Sequence, residues 1–86
     1  MTFSVALDAL KKGEKVSRHG WNGKRQFVYL VPASRYTAMT DAAKEFADED
    51  GKVQYGAYFA IRTNYGIMNT WVLSVSDLVA EDWYIL

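Results

Sequence analysis

Five consecutive apolar or aromatic residues, Phe27 to Val31, constrain the fold of this chain more than any other feature. They predict a β-strand over Gln26–Val31 that ends at Pro32, because proline has no N–H to give to a sheet. A strand whose two faces are both apolar needs a cover on both faces. In a chain of 86 residues, one short helix covers one of them. We therefore expect a second copy of the chain to cover the other.

Apolar spacing and turn residues predict the other elements. Phe3, Ala6, Leu7 and Leu10 recur every three or four residues, which is typical of a helix, here over residues 3–12. Its expected N-cap is Thr2, and its expected end is Gly13. Further strands are predicted over Lys15–Arg18, Gln54–Thr63, Asn69–Val75 and Trp83–Leu86, with turns at Asn22-Gly23 and Asn64-Tyr65-Gly66.

Two short helices are predicted in the remaining segments. Thr40 is expected to cap one over Asp41–Ala47 with Phe46 as its anchor, and Ser76 to cap one that runs through Glu81. The expected fold class is α+β. It is a single domain over residues 1–86, with a small antiparallel sheet of about five strands, an N-terminal helix and short helical insertions.

Composition limits the possible functions. The chain has three Trp, six Tyr and four Phe but no Cys, so disulfides, thiolate catalysis and cysteine zinc sites are excluded. One small core holds only part of these rings, which again favours an oligomer. Ten acidic residues balance ten basic ones, which argues against a general nucleic-acid-binding protein. We see no signal peptide pattern and no apolar run of the roughly 20 residues that a membrane span needs, and we expect a cytoplasmic protein that does not bind membranes.

The charges are unevenly distributed along the chain. Residues 1–40 carry seven Lys or Arg against Asp8 and Glu14, whereas the remainder carries three basic and eight acidic residues. Such asymmetry is compatible with a basic face for phosphates and equally with ordinary solvated surface.

Residues suited to catalysis are scarce. His19 is the only histidine, and phosphate-binding and nucleophile motifs are absent, so we expect no catalytic residue, no metal and no cofactor. Glu81 and Asp82 are adjacent and point apart on a short helix, and Asp82 is expected to hold a backbone turn.

Residues suited to binding are more numerous. Trp21 lies in a glycine-flanked turn, where its ring can stack on a planar base or instead pack on the helix. N–H groups near Gly20 and Gly23 can bind phosphate oxygens, assisted by Arg18 and Lys24. Of the other two indoles, Trp83 is expected in the core, and Trp71 suits core and site equally.

Two motifs resemble those of a known family. The first combines Thr2-Phe3, Ala6-Leu7 and Ala9-Leu10 with Gly20-Trp21-Asn22-Gly23-Lys24, Phe27 and Val31-Pro32; the second combines Trp71 and Ser74 with Asp77-Leu78-Val79-Ala80-Glu81-Asp82-Trp83. In this order and spacing they resemble the Thoeris anti-defense 2-like family of phage proteins. The resemblance covers the chain except roughly residues 33–53. The chain departs from the family pattern at Leu73 and at Val75-Ser76.

The resemblance implies a function in immune evasion. Family members are similar to homotetramers of small α+β protomers that hold a cyclic ADP-ribose isomer, the Thoeris alarm signal, between subunits without cleaving it. Some relatives hold cyclic oligonucleotides, and a similar protein is classed as a type II-A anti-CRISPR. The expected partners are thus a small cyclic nucleotide and further copies of the chain, in the host bacterial cytoplasm. The expected ligand-binding residues are Trp21, Asn22, Gly23, Arg18, Lys24, Trp71, Ser74 and Asp77.

Two alternatives remain open at the level of sequence. The first is an inhibitor that docks on a CRISPR effector or another defence protein, as an anti-CRISPR does. The second is an enzyme that degrades the signal.

Overall fold

A computed structural model describes residues 1–21 and 25–86. Asn22, Gly23 and Lys24, and with them the predicted Asn22-Gly23 turn, lie outside the described residues. The three described helices are α1 (Phe3–Lys11), α2 (Asp41–Lys44) and α3 (Val75–Val79). The seven described strands are β1 (Val16–Arg18), β2 (Phe27–Val31), β3 (Ser34–Thr37), β4 (Lys52–Tyr55), β5 (Tyr58–Arg62), β6 (Met68–Trp71) and β7 (Trp83–Ile85).

These strands form two antiparallel sheets. Five of them make one sheet in the order β6-β5-β2-β1-β7, and β3 pairs with β4 in a separate two-stranded sheet. The predicted α+β class with an N-terminal helix and a five-stranded sheet is therefore confirmed. No described helix is long and apolar enough to cross a membrane.

Helix α1 covers one face of the five-stranded sheet. The Thr2 side chain accepts a hydrogen bond from the Val5 N–H at its start, as predicted. Gly13 follows its end with φ +88°, a backbone conformation that favours glycine. Phe3, Ala6, Ala9 and Leu10 turn inward and pack with Val16, Val28, Ile61 and Trp83 in one buried cluster. We call this side of the sheet the helix-covered face.

The opposite side of the sheet, which we call the open face, carries the other half of the apolar run. Phe27, Tyr29 and Val31 alternate with Val28 and Leu30 along β2, so they point away from α1. They are half-buried, whereas Val28 on the helix-covered face is fully buried. The prediction that both faces of this strand are apolar is confirmed. Its cover by a second copy stays a prediction.

The structure corrects the predicted elements in residues 33–63. The predicted strand Gln54–Thr63 is in fact β4 and β5, which belong to different sheets and are separated at Gly56-Ala57. Strand β3, the partner of β4, is not predicted from the sequence. Helix α2 begins after Thr40 as predicted but ends at Lys44, and Phe46 is 77% exposed, so it anchors nothing.

The predicted boundary between the last long strand and α3 is also wrong. Ser74, not Ser76, is the N-cap of α3, and its side chain accepts from the Asp77 N–H. Strand β6 ends at Trp71 rather than at Val75, which is instead the first residue of α3. The turn at Asn64-Tyr65-Gly66 is confirmed, with Gly66 at φ +82°.

Candidate functional site

The rings of Trp21, Trp71 and Trp83 pack against one another on the helix-covered face of the sheet. Trp21 follows β1, and its ring lies edge-on to Trp83 at 5.3 Å and to Trp71 at 6.2 Å between ring centroids. Trp83 is 1% exposed, which confirms its predicted place in the core. Trp21 and Trp71 are half-buried. Trp21 is thus neither a free loop side chain nor a fully buried one, because part of its ring packs on the core and part remains accessible.

The carboxylate of Asp77 accepts hydrogen bonds from Trp21 in the first motif and from Ser74 in the second. Its Oδ1 accepts hydrogen bonds from Arg18 Nη1 at 2.8 Å and from Trp21 Nε1 at 3.2 Å. Its Oδ2 accepts from Ser74 Oγ at 2.8 Å and from the Ser74 N–H at 3.4 Å, and Ser74 Oγ accepts in turn from the Asp77 N–H at 3.1 Å. The two bonds from backbone N–H groups form a capping box at the start of α3. Below them, Trp83 Nε1 donates to the Asp77 carbonyl at 2.9 Å. Asp77 therefore fixes the orientation of Trp21 and the start of α3 together.

The inward position of Asp77 makes α3 unusual. Of its five residues only Asp77 is buried, whereas Val75, Leu78 and Val79 are exposed. Burial alone would raise the pKa of the Asp77 carboxyl, but the hydrogen bonds from Ser74, Arg18 and Trp21 outweigh it and hold the pKa below its usual range. Asp77 is accordingly ionised at neutral pH and pairs with the Arg18 guanidinium.

Arg18 lies between two carboxylates. Besides Asp77, it reaches Asp82, whose Oδ1 accepts from Arg18 Nε at 2.7 Å. The hydrogen bond from Arg18 lowers the pKa of Asp82, and hydrogen bonds to Asp82 and Asp77 raise that of Arg18. The antiparallel pairing of β1 with β7 sets Arg18 opposite Trp83, which brings Asp82 alongside. One guanidinium thus faces two carboxylates, and this cluster does not present an uncompensated cation to a phosphate.

Asp82 also holds the first residues of the glycine-flanked turn. Its Oδ2 accepts from the Gly20 N–H at 2.8 Å, and its carbonyl accepts from the His19 N–H at 3.1 Å. A Cβ at residue 20 would lie only 2.8 Å from the same Oδ2, so glycine permits this close approach. The prediction that Asp82 holds a backbone turn is confirmed. The expectation that the Gly20 N–H is open to phosphate is wrong, because Asp82 already accepts from it.

Arg25, the first described residue after Lys24, is held by the side chain of Arg62 from the open face of the sheet. Arg25 has φ +72°, which is uncommon for a residue with a side chain, and its carbonyl accepts from Arg62 Nη1 at 3.1 Å. His19 stacks on Tyr84 with ring centroids 4.2 Å apart. Both sides of the undescribed Asn22-Gly23-Lys24 segment are therefore anchored to the sheet.

The structure brings together five of the eight predicted site residues, namely Arg18, Trp21, Trp71, Ser74 and Asp77. Their polar groups are largely bonded to one another, so the arrangement is a preformed wall beside the turn rather than a set of free donors. Asn22, Gly23 and Lys24 lie outside the described residues. Asp82 and Arg62 also contact these residues but are not among the predicted site residues. Their positions depend on the pairing of the strands, which the sequence alone did not reveal.

The described residues contain no group of three or more His, Asp or Glu side chains placed to hold a metal ion. The carboxylates of the cluster point at Arg18 and at hydrogen-bond donors instead. What this arrangement offers is an indole of fixed orientation next to backbone that Asp82 holds at Gly20.

Comparisons with known proteins match the whole length of the chain to the family that its two sequence motifs resemble. The family model described as the Thoeris anti-defense 2-like domain matches residues 1–86. The chain is also similar to Thoeris anti-defense 2 of Bacillus phage SP01, with 36% identity over 86 residues that cover 100% of this chain and 94% of the relative. The matches include residues 33–53, which lie outside the two sequence motifs.

Proposed function

Because this chain belongs to the Thoeris anti-defense 2-like family, we propose that it is a phage anti-defence protein that sequesters a cyclic nucleotide immune signal. The proposed signal is a cyclic ADP-ribose isomer, which the protein holds without cleaving. One observation carries this proposal. Trp21 is fixed by a hydrogen bond to Asp77 and by two neighbouring indoles, and its side chain is only half-buried.

A fixed indole suits the base of such a ligand. Stacking of a base on an aromatic side chain is worth about 1–3 kcal/mol, and it needs no particular hydrogen-bond pattern. Because Trp21 is already held in place, little side-chain freedom is lost when a base stacks on it. Tight sequestration requires about −12 kcal/mol for a nanomolar Kd, so stacking supplies only part of the affinity.

The phosphates must find their partners mainly in the turn itself. Arg18 is paired with Asp77 and Asp82, so its proposed role is to hold the wall of the site and not to bind phosphate directly. The groups proposed for phosphate are the backbone of Gly23 and the side chain of Lys24, as predicted from the sequence, together with Arg25, which is exposed at the end of the turn.

The state of the two carboxylates supports retention of an intact ligand. A general base in hydrolysis works best with a pKa near the working pH. Hydrogen bonds hold the pKa values of Asp77 and Asp82 below their usual range, which makes both weak bases near neutral pH. This supports a binding protein over an enzyme that degrades the signal.

The proposal is tested by calorimetric titration of the protein with a cyclic ADP-ribose isomer. We expect saturable binding that Trp21→Ala weakens by about 5- to 150-fold, equivalent to about 1–3 kcal/mol of stacking. The matched control is Tyr65→Ala, which removes an aromatic residue that is 85% exposed in the Asn64-Tyr65-Gly66 turn and takes no part in the ring contacts of the three tryptophans among the described residues. Equal weakening by both variants, or no binding by the unmodified protein, would overturn the proposal.

A second candidate function, docking on a defence protein, is favoured by the outer surface of α3. Val75 is 76% exposed and Val79 is 69% exposed, which is unusual for two aliphatic side chains on one short helix. If this surface docks on a defence effector, Val75→Asp with Val79→Asp removes protection of the phage in cells and leaves nucleotide binding in vitro unchanged. If sequestration accounts for protection, activity in cells follows the affinity for the nucleotide.

A further inference from the structure

Asp82 contacts the residues on either side of His19, although it is not among the predicted ligand-binding residues. Its Oδ1 accepts a hydrogen bond from Arg18 Nε at 2.7 Å, and its Oδ2 accepts one from the Gly20 N–H at 2.8 Å. Its backbone carbonyl accepts from the His19 N–H at 3.1 Å. Both oxygens of the carboxylate are thus engaged by the segment that leads into Trp21.

A chain of hydrogen bonds leads from Asp82 to the indole of Trp21. The guanidinium of Arg18 donates through Nε to Asp82 and through Nη1 to Asp77 Oδ1 at 2.8 Å. The same Asp77 oxygen accepts from Trp21 Nε1 at 3.2 Å. Because a guanidinium is planar and rigid, two carboxylates bound to different nitrogens set its orientation together. Loss of one of them lets Arg18 turn, and the oxygen that orients Trp21 then shifts with it.

A second connection from Asp82 to Trp21 runs through the backbone. Gly20 directly precedes Trp21, and its N–H is the group that donates to Asp82 Oδ2. A Cβ at residue 20 would lie only 2.8 Å from this oxygen, so the contact requires a glycine on one side and a short carboxylate on the other. The position of the backbone at the start of the turn therefore depends on Asp82 as well.

The contacts around Arg18 are shielded enough from water to hold these positions. The Arg18 side chain is 18% exposed, whereas that of Arg35, which pairs with Asp48 and Asp50, is 49% exposed. Exposed ion pairs contribute little to stability, since water and salt screen them. Charge-assisted hydrogen bonds are shorter and stronger than neutral ones. Of these two arginine–aspartate clusters, the one around Arg18 is therefore suited to fix a neighbouring ring.

From these contacts we propose that Asp82 is a positioning residue of the ligand site around Trp21. It acts through Arg18 and Asp77 on the indole and through Gly20 on the backbone, and it does not touch the ligand. The base of the ligand then meets a ring that is already held in one orientation, which lowers the ordering cost of binding. This inference rests on the proposed function, since it concerns the site that holds the cyclic nucleotide.

The first test is calorimetric titration of Asp82→Asn with a cyclic ADP-ribose isomer, at a temperature where thermal melts show the variant to be folded. Asparagine has one oxygen for two donors, so it keeps the contact with Arg18 or with Gly20 and loses the other. We expect binding to weaken by about 5- to 50-fold, within the range of about 5- to 150-fold for loss of a stacked ring. The matched control is Glu81→Gln, which removes the same charge from an exposed neighbour and should leave the affinity unchanged.

A double-mutant cycle tests whether Gly20 and Asp82 act through their shared contact. Gly20→Ala directs a methyl group at Asp82 Oδ2 and should weaken ligand binding in the otherwise unmodified protein. In the Asp82→Ala background no carboxylate is left to meet that methyl group, so the same change should have little further effect. Losses of affinity that simply add in the double variant would overturn the proposal, because additivity is the behaviour of independent sites.

The free protein gives a readout that does not depend on a ligand. The indole N–H of Trp21 donates to Asp77 Oδ1, whereas that of Trp83 donates to the Asp77 backbone carbonyl. Their signals in proton–nitrogen NMR spectra are assigned from Trp21→Phe and Trp83→Phe. Asp82→Asn should shift the Trp21 indole signal and leave the Trp83 signal in place. An equal shift of both signals would mean a general loosening of the fold and would overturn the positioning role.

The outcomes separate this inference from the proposed function. If the unmodified protein does not bind the cyclic ADP-ribose isomer, the proposed function fails, and the NMR signals alone decide whether Asp82 positions Trp21. If the unmodified protein and Asp82→Asn bind equally well, the proposed function stands and this inference is rejected. A lower Tm with unchanged affinity in Asp82→Asn also rejects it, since that result describes a residue needed only for stability.

Discussion

Replacing Asp77 with asparagine separates a positioning role from direct contact with a ligand. Asp77 accepts hydrogen bonds from Arg18, Trp21 and Ser74, and the side chains of Arg18 and Asp77 are only 18% and 12% exposed. An asparagine keeps the shape of the side chain but loses the charge and turns an N–H₂ group toward one set of donors. Asp77→Asn therefore removes the charge that pairs with Arg18, whichever of the two oxygens the N–H₂ group replaces.

The expected loss of stability follows from these contacts. Breaking a buried ion pair by removing one partner costs about 3–5 kcal/mol, whereas the N-cap of α3 is kept, since Ser74 Oγ still accepts from the backbone N–H of residue 77. Because Arg18 keeps Asp82 as a second partner, we expect a total loss of about 2–4 kcal/mol. In a domain of this size, 1 kcal/mol lowers the Tm by about 4–8 °C, so the Tm should fall by at least about 8 °C.

The assay is thermal unfolding followed by circular dichroism, with calorimetric titration of a cyclic ADP-ribose isomer below the lowered Tm. Asp8→Asn is the control, since Asp8 is exposed on α1 and its replacement removes the same charge. An unchanged Tm combined with weakened ligand binding in Asp77→Asn would refute the positioning role. It would make Asp77 a direct ligand contact, as the family resemblance suggests.

Three further results are expected. Trp21→Ala should lower stability by about 2–3 kcal/mol in thermal melts, less than the 3–5 kcal/mol of a fully buried tryptophan, because Trp21 is half-buried; a loss at the upper value would place it wholly in the core. The pKa values of Asp77 and Asp82 are lower in the folded protein than in the unfolded chain, so on acidification the unfolded chain takes up protons at these groups before the folded protein does. Their contribution to the free energy of unfolding is therefore present above about pH 4 and is lost as the pH falls below it. A Tm that stays level from pH 6 to pH 2.5 would contradict this. Light scattering coupled to gel filtration should show a homo-oligomer, for which we propose a tetramer, since α1 leaves the apolar side chains on the open face of the sheet uncovered; a monomer of 9.8 kDa at all concentrations would contradict it.

Local patterns were sufficient to predict the elements that form the core. The helix was evident from the spacing of Phe3, Ala6 and Leu10, and the central strand from its apolar run, because one packing surface imposes both patterns. Residues 33–56 lack such a pattern, since β3 and β4 are largely exposed and pair mainly with each other. Their pairing depends on cross-strand contacts that a single pass along the sequence does not reveal.

For the candidate site, the sequence indicated which residues lie together better than it indicated which contacts they make. The two motifs identified Trp21, Trp71, Ser74 and Asp77, which the fold brings together. The direction in which α3 turns Asp77 was not evident, because a helix with three aliphatic residues and one acid is expected to bury the aliphatic ones. The partner of Arg18 was equally hidden, since Asp82 is 64 residues away and reaches it only through the pairing of β1 with β7.

The most direct test of the central claim is recovery of the bound signal. The protein is mixed with a stoichiometric amount of a cyclic ADP-ribose isomer, kept for hours, freed of unbound ligand and then denatured by heat, and the supernatant is analysed by mass spectrometry and for activation of the signal's effector. We predict that the ligand is retained by the folded protein and released unmodified and active. Release of linear ADP-ribose, in more than one equivalent per protomer as further ligand is added, would contradict sequestration and show that the protein is an enzyme.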